Sequence, residues 1–191
     1  MNLEVDVRTL FVATVAAGLL LGQGAALAAQ DATPPASPAA CAVTTEAENQ
    51  AIANVWHEEA INNGNLEALR DVVAPDVVHH AAGGYPDVTN IEGVMSMMGA
   101  FPAAFSDLHY TVDFWVVQDD MVVERYTATG TQDGPLGDMP ATGREATWTG
   151  VNIFRIECGK IAEVWSEVDA LSRNAQLFPE GEAEATPAAG S

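Results

Sequence analysis

The stretch Trp148 to Asp169, WTGVNIFRIECGKIAEVWSEVD, decides how this chain is read. Two runs of alternating character flank Cys158-Gly159, the pattern of a β-hairpin with a two-residue turn. The turn fixes the register, and the register decides which side chains share a face. This register sets Glu157 opposite Lys160, Ile156 opposite Ile161 and Phe154 opposite Glu163. It then sets Asn152 opposite Trp165, Gly150 opposite Glu167 and Trp148 opposite Asp169. That face mixes aromatic rings, carboxylates and an amide, and reads as the wall of a pocket. Val151, Ile153, Ala162, Val164 and Val168 fall on the other, mostly apolar face, with Thr149, Arg155 and Ser166.

Upstream, Thr45 and Glu48 make a capping box, and Ile52, Val55, Trp56 and Ala60 continue at helical spacing. A helix is predicted from Thr45 to Asn62, where Asn63-Gly64-Asn65 ends it. A short second helix runs to Val73, and Ala74-Pro75-Asp76 separates it from a short strand, Val77 to His80. Asn90 caps a third helix that stops before Pro102. Its Met95 and Met98, with Met97, offer a soft wall. The period then switches to alternation in Leu108 to Val117 and Met121 to Thr131. Helices followed by consecutive antiparallel strands predict an α+β domain, one curved sheet wrapped around helices. Such a cone is a common place for a small-molecule site.

The ends of the chain read differently. Residues 1–29 carry Arg8, an uncharged apolar run and Ala26-Leu27-Ala28, the pattern of a secretory signal peptide. An uncleaved anchor is the competing reading, because ~20 apolar residues can span a bilayer. Residues 30–41 are expected to be a Pro/Ala-rich linker, 42–179 the folded domain and 180–191 a disordered tail. The expected location is therefore secreted or extracytoplasmic. The formal charge is −20, with only seven Lys and Arg, so nucleic acid and anionic membrane surfaces are poor partners. The two cysteines, Cys41 and Cys158, are expected to pair in an exported chain, since a cysteine before the turn glycine is otherwise unusual.

The ordered pieces resemble a known family. They are Asn62-x-Gly64-Asn65-Leu66, Ala74-Pro75-Asp76 and Phe105-x-Asp107-Leu108, then Gly130-Thr131-x-x-Gly134-Pro135-Leu136 and Pro140-x-Thr142-Gly143-Arg144. Phe154-Arg155-Ile156-x-x-Gly159-Lys160-Ile161-x-Glu163-x-Trp165 closes the set. Together, from about Glu48 to Leu177, they resemble the SnoaL-like polyketide cyclase (ester cyclase) branch of the nuclear transport factor 2-like superfamily. The resemblance implies a cone fold, a homodimer packed through the outer sheet face, and ring closure by aldol chemistry. It implies a buried aspartate as acid/base with a histidine assisting, and no metal or organic cofactor. The matching positions here are Asn152 and Gln132, which do not titrate.

Catalysis by the chain would then fall to His80, on the strand near the pocket mouth, or to Asp169. Asn152, Gln132, Trp148, Trp165, Phe154, Glu167 and Tyr85 are the expected pocket residues. Glu163, nearer the turn, is free to pair with Lys160 or Arg155. His79 is expected to point away from the pocket, and His57, beside Glu58 and Glu59, to lie at the surface. Two functions stay open: a cofactor-free cyclase, isomerase or hydrolase, and a non-catalytic module holding a small apolar or carbonyl-containing molecule.

Overall fold

A computed structural model describes residues 41, 43–82 and 86–179. The proposed signal segment, most of the linker, Tyr85 and the tail lie outside the described residues. Five strands form one sheet in the order β1-β5-β4-β3-β2. They are β1 (Val73–His80), β2 (His109–Gln118), β3 (Met121–Gln132), β4 (Arg144–Glu157) and β5 (Lys160–Val168). Among the described residues only the β1–β5 pair is parallel. Helices α1 (Glu46–Asn54), α2 (Leu69–Val72), α3 (Ile91–Ala104) and α4 (Ala170–Leu177) complete the α+β cone.

Local chemistry places these elements. Thr45 caps α1, and the capping box closes through Glu48. The helix continues past Asn54 as a π-helical segment, Val55–Asn62. Trp56, His57, Ala60 and Ile61 of this segment are all buried, so His57 lies inside rather than at the surface. Asn62 then docks the segment on the sheet. Its side chain accepts from Tyr110 N (2.8 Å) and donates to Tyr110 O (2.8 Å). Strand β1 starts at Val73, before the expected Val77, and runs through Pro75. Proline is tolerated because β1 is an edge strand. Helix α3 likewise passes Pro102 and ends two residues later, where Phe105 N still donates to Phe101 O (2.9 Å).

The hairpin corrects the expected register. Glu157 faces Lys160 and Ile156 faces Ile161, but a bulge follows, and Arg155 then pairs with Glu163. Asn152 lies opposite Ser166, and Ile153 opposite Trp165. Ile161 and Val164 are both fully buried, and three residues apart they reach one face only if a residue is bulged out between them. Beyond the bulge every β5 side chain changes face. Val164 and Ser166 turn inward with Phe154 and Asn152, while Glu163, Trp165 and Glu167 turn outward.

Cys158 and Gly159 occupy the turn at φ 54° and 71°, the left-handed pair of a type I′ turn. Cys158 is disulfide-bonded to Cys41, with Cα atoms 5.0 Å apart. Helix α4 was not anticipated. It is held where β5 leaves the edge of β4 unpaired, by Gln176, which accepts from Thr147 N (3.0 Å) and donates to Thr147 O (2.7 Å). No helix among the described residues is long and apolar enough to cross a membrane.

Candidate functional site

Strand β3 turns Val122, Glu124, Tyr126 and Ala128 inward. That alternation puts a carboxylate in the middle of the core, and Glu124 is fully buried. A charge in such a place must be partnered or it unfolds the site. Its Oε1 lies 2.7 Å from His57 Nδ1, an ion-pair approach off the line of a ring N–H hydrogen bond. The same oxygen accepts from Asn152 Nδ2 (3.1 Å). Asn152 Oδ1 accepts from Ser166 Oγ (2.6 Å), and Ser166 Oγ lies 2.9 Å from His79 Nε2. A polar chain thus crosses the sheet from β1 through β5 and β4 to β3, and ends against the π-helical segment. Glu124 Oε2 and His79 Nδ1 are buried with no hydrogen-bond partner.

Aromatic rings wall this chain. His57 stacks on Tyr110 with centroids 4.0 Å apart and meets the Tyr126 ring edge-on at 4.8 Å. His79 stacks on Trp56, which meets Phe154 edge-on. Burial raises both tyrosine pKa values above their ordinary value, with the mutual repulsion of charge at Tyr126 adding to Tyr110. Both phenols therefore stay protonated donors at neutral pH. Burial also pushes His79 down to about 4, so it is a neutral imidazole at pH 7.

The expected site residues divide between this interior and other places. Asn152, Phe154 and Trp148 are buried on the inner face. Asn152 alone joins the polar chain, and Trp148 packs on Phe105 beneath the Arg173 guanidinium. Gln132 is buried but structural in its bonding. It donates to Pro140 O (3.1 Å) and accepts from Thr142 Oγ1 (2.9 Å), pinning the β3–β4 connection. It stands eight residues beyond Glu124, roughly 26 Å along the strand. Asp169 does not reach the interior. It is exposed and caps α4, accepting from Ser172 N (2.9 Å). Glu167 is exposed on the outer face, and Trp165 lies there too, because the bulge reversed β5.

The two β1 histidines are exchanged relative to expectation. His79 is the inward one, and His80 lies outside, stacked on Trp165. His80 Nδ1 meets Asp87 (2.9 Å) and Nε2 meets Glu163 (2.9 Å), which also accepts from Arg155 Nε (3.0 Å). Both acceptors are carboxylates, so both ring nitrogens donate and the imidazolium is favoured. The Glu163 bond first, then Asp87, holds the His80 pKa above its ordinary value. Glu163 is held below its own, chiefly by His80. The stabilisation is therefore complete below the usual histidine value of about 6.5 and is lost as pH rises through the raised value. It is also lost at the acid end, as pH falls through the lowered Glu163 value. The difference in melting temperature between the wild type and His80→Gln should be largest near pH 5.5 and close by pH ~9. A constant difference across that range would show that His80 carries no charge-dependent bond.

The residues that sequence reading missed are Glu124, His57, Ser166 and His79. Among the described residues no group of three or more His, Cys, Asp or Glu could hold a metal ion. A cleft of about 550 Å³ lies elsewhere, beside the disulfide, lined by Cys41, Thr44, Asn49, Asp119 and Cys158. No buried titratable group is aimed into it.

This cone, with a carboxylate–imidazole pair in its interior, is a nuclear transport factor 2-like fold. Residues 51–177 match the family of SnoaL-like polyketide cyclases, and the chain belongs to that family. Among solved structures it is similar to TsrD from Streptomyces laurentii, at 30% identity and TM-score 0.63, over 71% of this chain and 98% of that one. It is similar to IdmH from Streptomyces antibioticus at 34% identity and TM-score 0.57, over 68% and 97%. A SnoaL-like protein from Jannaschia sp. CCS1, at 22% identity and TM-score 0.65 over 69% and 92%, shares the fold. A search of curated proteins gave no match.

Proposed function

We propose that this domain is an extracytoplasmic, cofactor-free acid–base catalyst acting on a small carbonyl compound, with Glu124, faced by His57, as its acid–base group. The observation that carries the reading is the buried Glu124 carboxylate. One oxygen is engaged by Asn152 and faced by His57, and the other has no hydrogen-bond partner. A carboxylate oxygen in a dry, aromatic-walled interior is suited to removing a proton from carbon next to a carbonyl. In that step Glu124 Oε2 takes the α-proton, the C–H electrons form the C=C bond, and the carbonyl π electrons move onto oxygen, whose negative charge is stabilised by a hydrogen bond from a buried protonated donor such as Tyr126. The pair is buried, with His57 packed against the Tyr110 and Tyr126 rings, so a substrate has to displace core side chains to reach it. The enclosure then keeps water from competing.

The Cys41–Cys158 disulfide supports an oxidising compartment. Phe114 and Val116 stand 55% and 54% exposed on the outer face of β2, which suits a second copy packed there. The second reading, a module that binds without turnover, draws on Asn152, whose amide can neither give up nor take a proton. Deuterium incorporation into the methyl group of acetophenone in D2O, followed by proton NMR, separates the two. The wild type should exceed the buffer rate, and Glu124→Gln should lose about 100-fold or more of the enhancement. Equal rates for wild type and variant would remove Glu124 from catalysis. Ligand line-broadening with no exchange in either protein would establish the binding module.

A further inference from the structure

The side-chain amide of Asn152 has two possible orientations, and only one is compatible with Glu124 beside it. With the carbonyl end turned toward Glu124, two acceptor oxygens would face each other in a dry interior at about hydrogen-bond distance. The observed orientation puts the NH2 toward Glu124 Oε1 (3.1 Å). What holds it so lies behind it. Ser166 Oγ is 2.6 Å from Asn152 Oδ1 and gives that oxygen its single proton. The hydroxyl oxygen is then an acceptor, and His79 Nε2 at 2.9 Å supplies the matching donor. His79 must carry its proton on Nε2, which leaves Nδ1 bare. Nδ1 is the ring nitrogen that is buried without a partner. Trp56 stacked on the ring fixes its plane. Every link therefore points the same way, donor to acceptor, and the run ends on Glu124 Oε1.

Resting on the reading of Glu124 as the acid–base group, we propose that Ser166 and His79 are positioning residues. They lock the Asn152 amide so that Glu124 Oε1 is occupied and Oε2 is the oxygen left for substrate. Neither touches the substrate. The bulge in β5 serves this arrangement, because it turns Ser166 inward.

The test reads Asn152 itself and needs no turnover. In ¹⁵N-labelled wild-type protein the Asn152 side-chain NH2 should exchange slowly with solvent. Ser166→Ala should speed that exchange by about tenfold, the scale of one lost hydrogen bond, and Ser166→Thr, which keeps the hydroxyl, should restore it. The His79 ring should show its proton on Nε2 in the wild type. Unchanged Asn152 exchange in Ser166→Ala, or no recovery in Ser166→Thr, overturns the proposal. So does a wild-type proton on Nδ1. If Ser166→Ala does not fold, His79→Phe keeps the ring stack and removes only the far donor, and it should still speed Asn152 exchange. A failure of acetophenone deuteration with these results intact would count against catalysis by Glu124, not against the locking of the amide.

Discussion

Replacing Cys41 and Cys158 together by serine is expected to lower the unfolding free energy by about 4–5 kcal/mol, the chain-entropy value for so long a loop. The bond closes a loop across 117 positions of sequence. It joins the residue that leads into α1 to the turn between β4 and β5, so in the unfolded chain it ties together nearly the whole domain. With a urea m-value of about 2 kcal/mol/M, the midpoint should fall by roughly 2 M. Equilibrium urea unfolding of wild type, with and without reductant, and of the double serine variant measures it. Cys158 also sits at φ 54°, where asparagine is better suited than serine. The pair Cys41→Ser, Cys158→Asn should therefore recover a few tenths of a kcal/mol over the double serine variant. A loss below about 1 kcal/mol would mean that the denatured chain already holds these ends together.

The parts of this fold that were legible in the sequence are those set by near neighbours. Thr45 with Glu48, Asn90 before α3, and Cys158-Gly159 each fix a cap or a turn within four residues, and each formed as expected. The disulfide was legible because a cysteine is an odd choice before a turn glycine. The candidate site was not, for two reasons. The bulge in β5 reversed Trp165, Ser166 and Glu167 together, since one residue of slip exchanges the faces of a strand. His57 reads as a surface residue beside Glu58 and Glu59 in the sequence, yet spacings of three and four residues put it on one face with Ala53, Ala60 and Ile61, and that face is buried. Ile161 and Val164 share a face only across a bulge. Glu124 needed no such correction. Simple alternation with Val122 and Tyr126 puts it inside, although no motif marks it in the sequence. With Glu124 in the interior, Asn152 changes meaning: its amide donates to the buried carboxyl group of Glu124.

Gly150→Ala should be the most damaging small substitution in the sheet. Gly150 lies directly opposite Tyr126 on the inner face, and the tyrosine ring folds over it. A β-carbon there would stand 2.2 Å from Tyr126 Oη, 2.4 Å from its Cζ and 2.6 Å from the carbonyl oxygen of Glu167. The first two atoms belong to a side chain that can move. The third is backbone of the neighbouring strand and cannot move without spreading β4 from β5. Overpacking of this kind costs about 3 kcal/mol. The ring that must give way is also the one set edge-on against His57, so displacing it disturbs the wall of the His57–Glu124 pair. Deuterium exchange, if Glu124 catalyses it, should fall along with stability. Tyr126→Leu provides the decisive comparison. Leucine clears the two ring contacts, so Gly150→Ala should cost about half as much in that background, a coupling of 1 kcal/mol or more. Urea unfolding of the wild type, the two single variants and the double variant gives the cycle. Additivity within about 0.5 kcal/mol would show that the clash lies with the Glu167 backbone alone, and that Gly150 is not there to seat Tyr126.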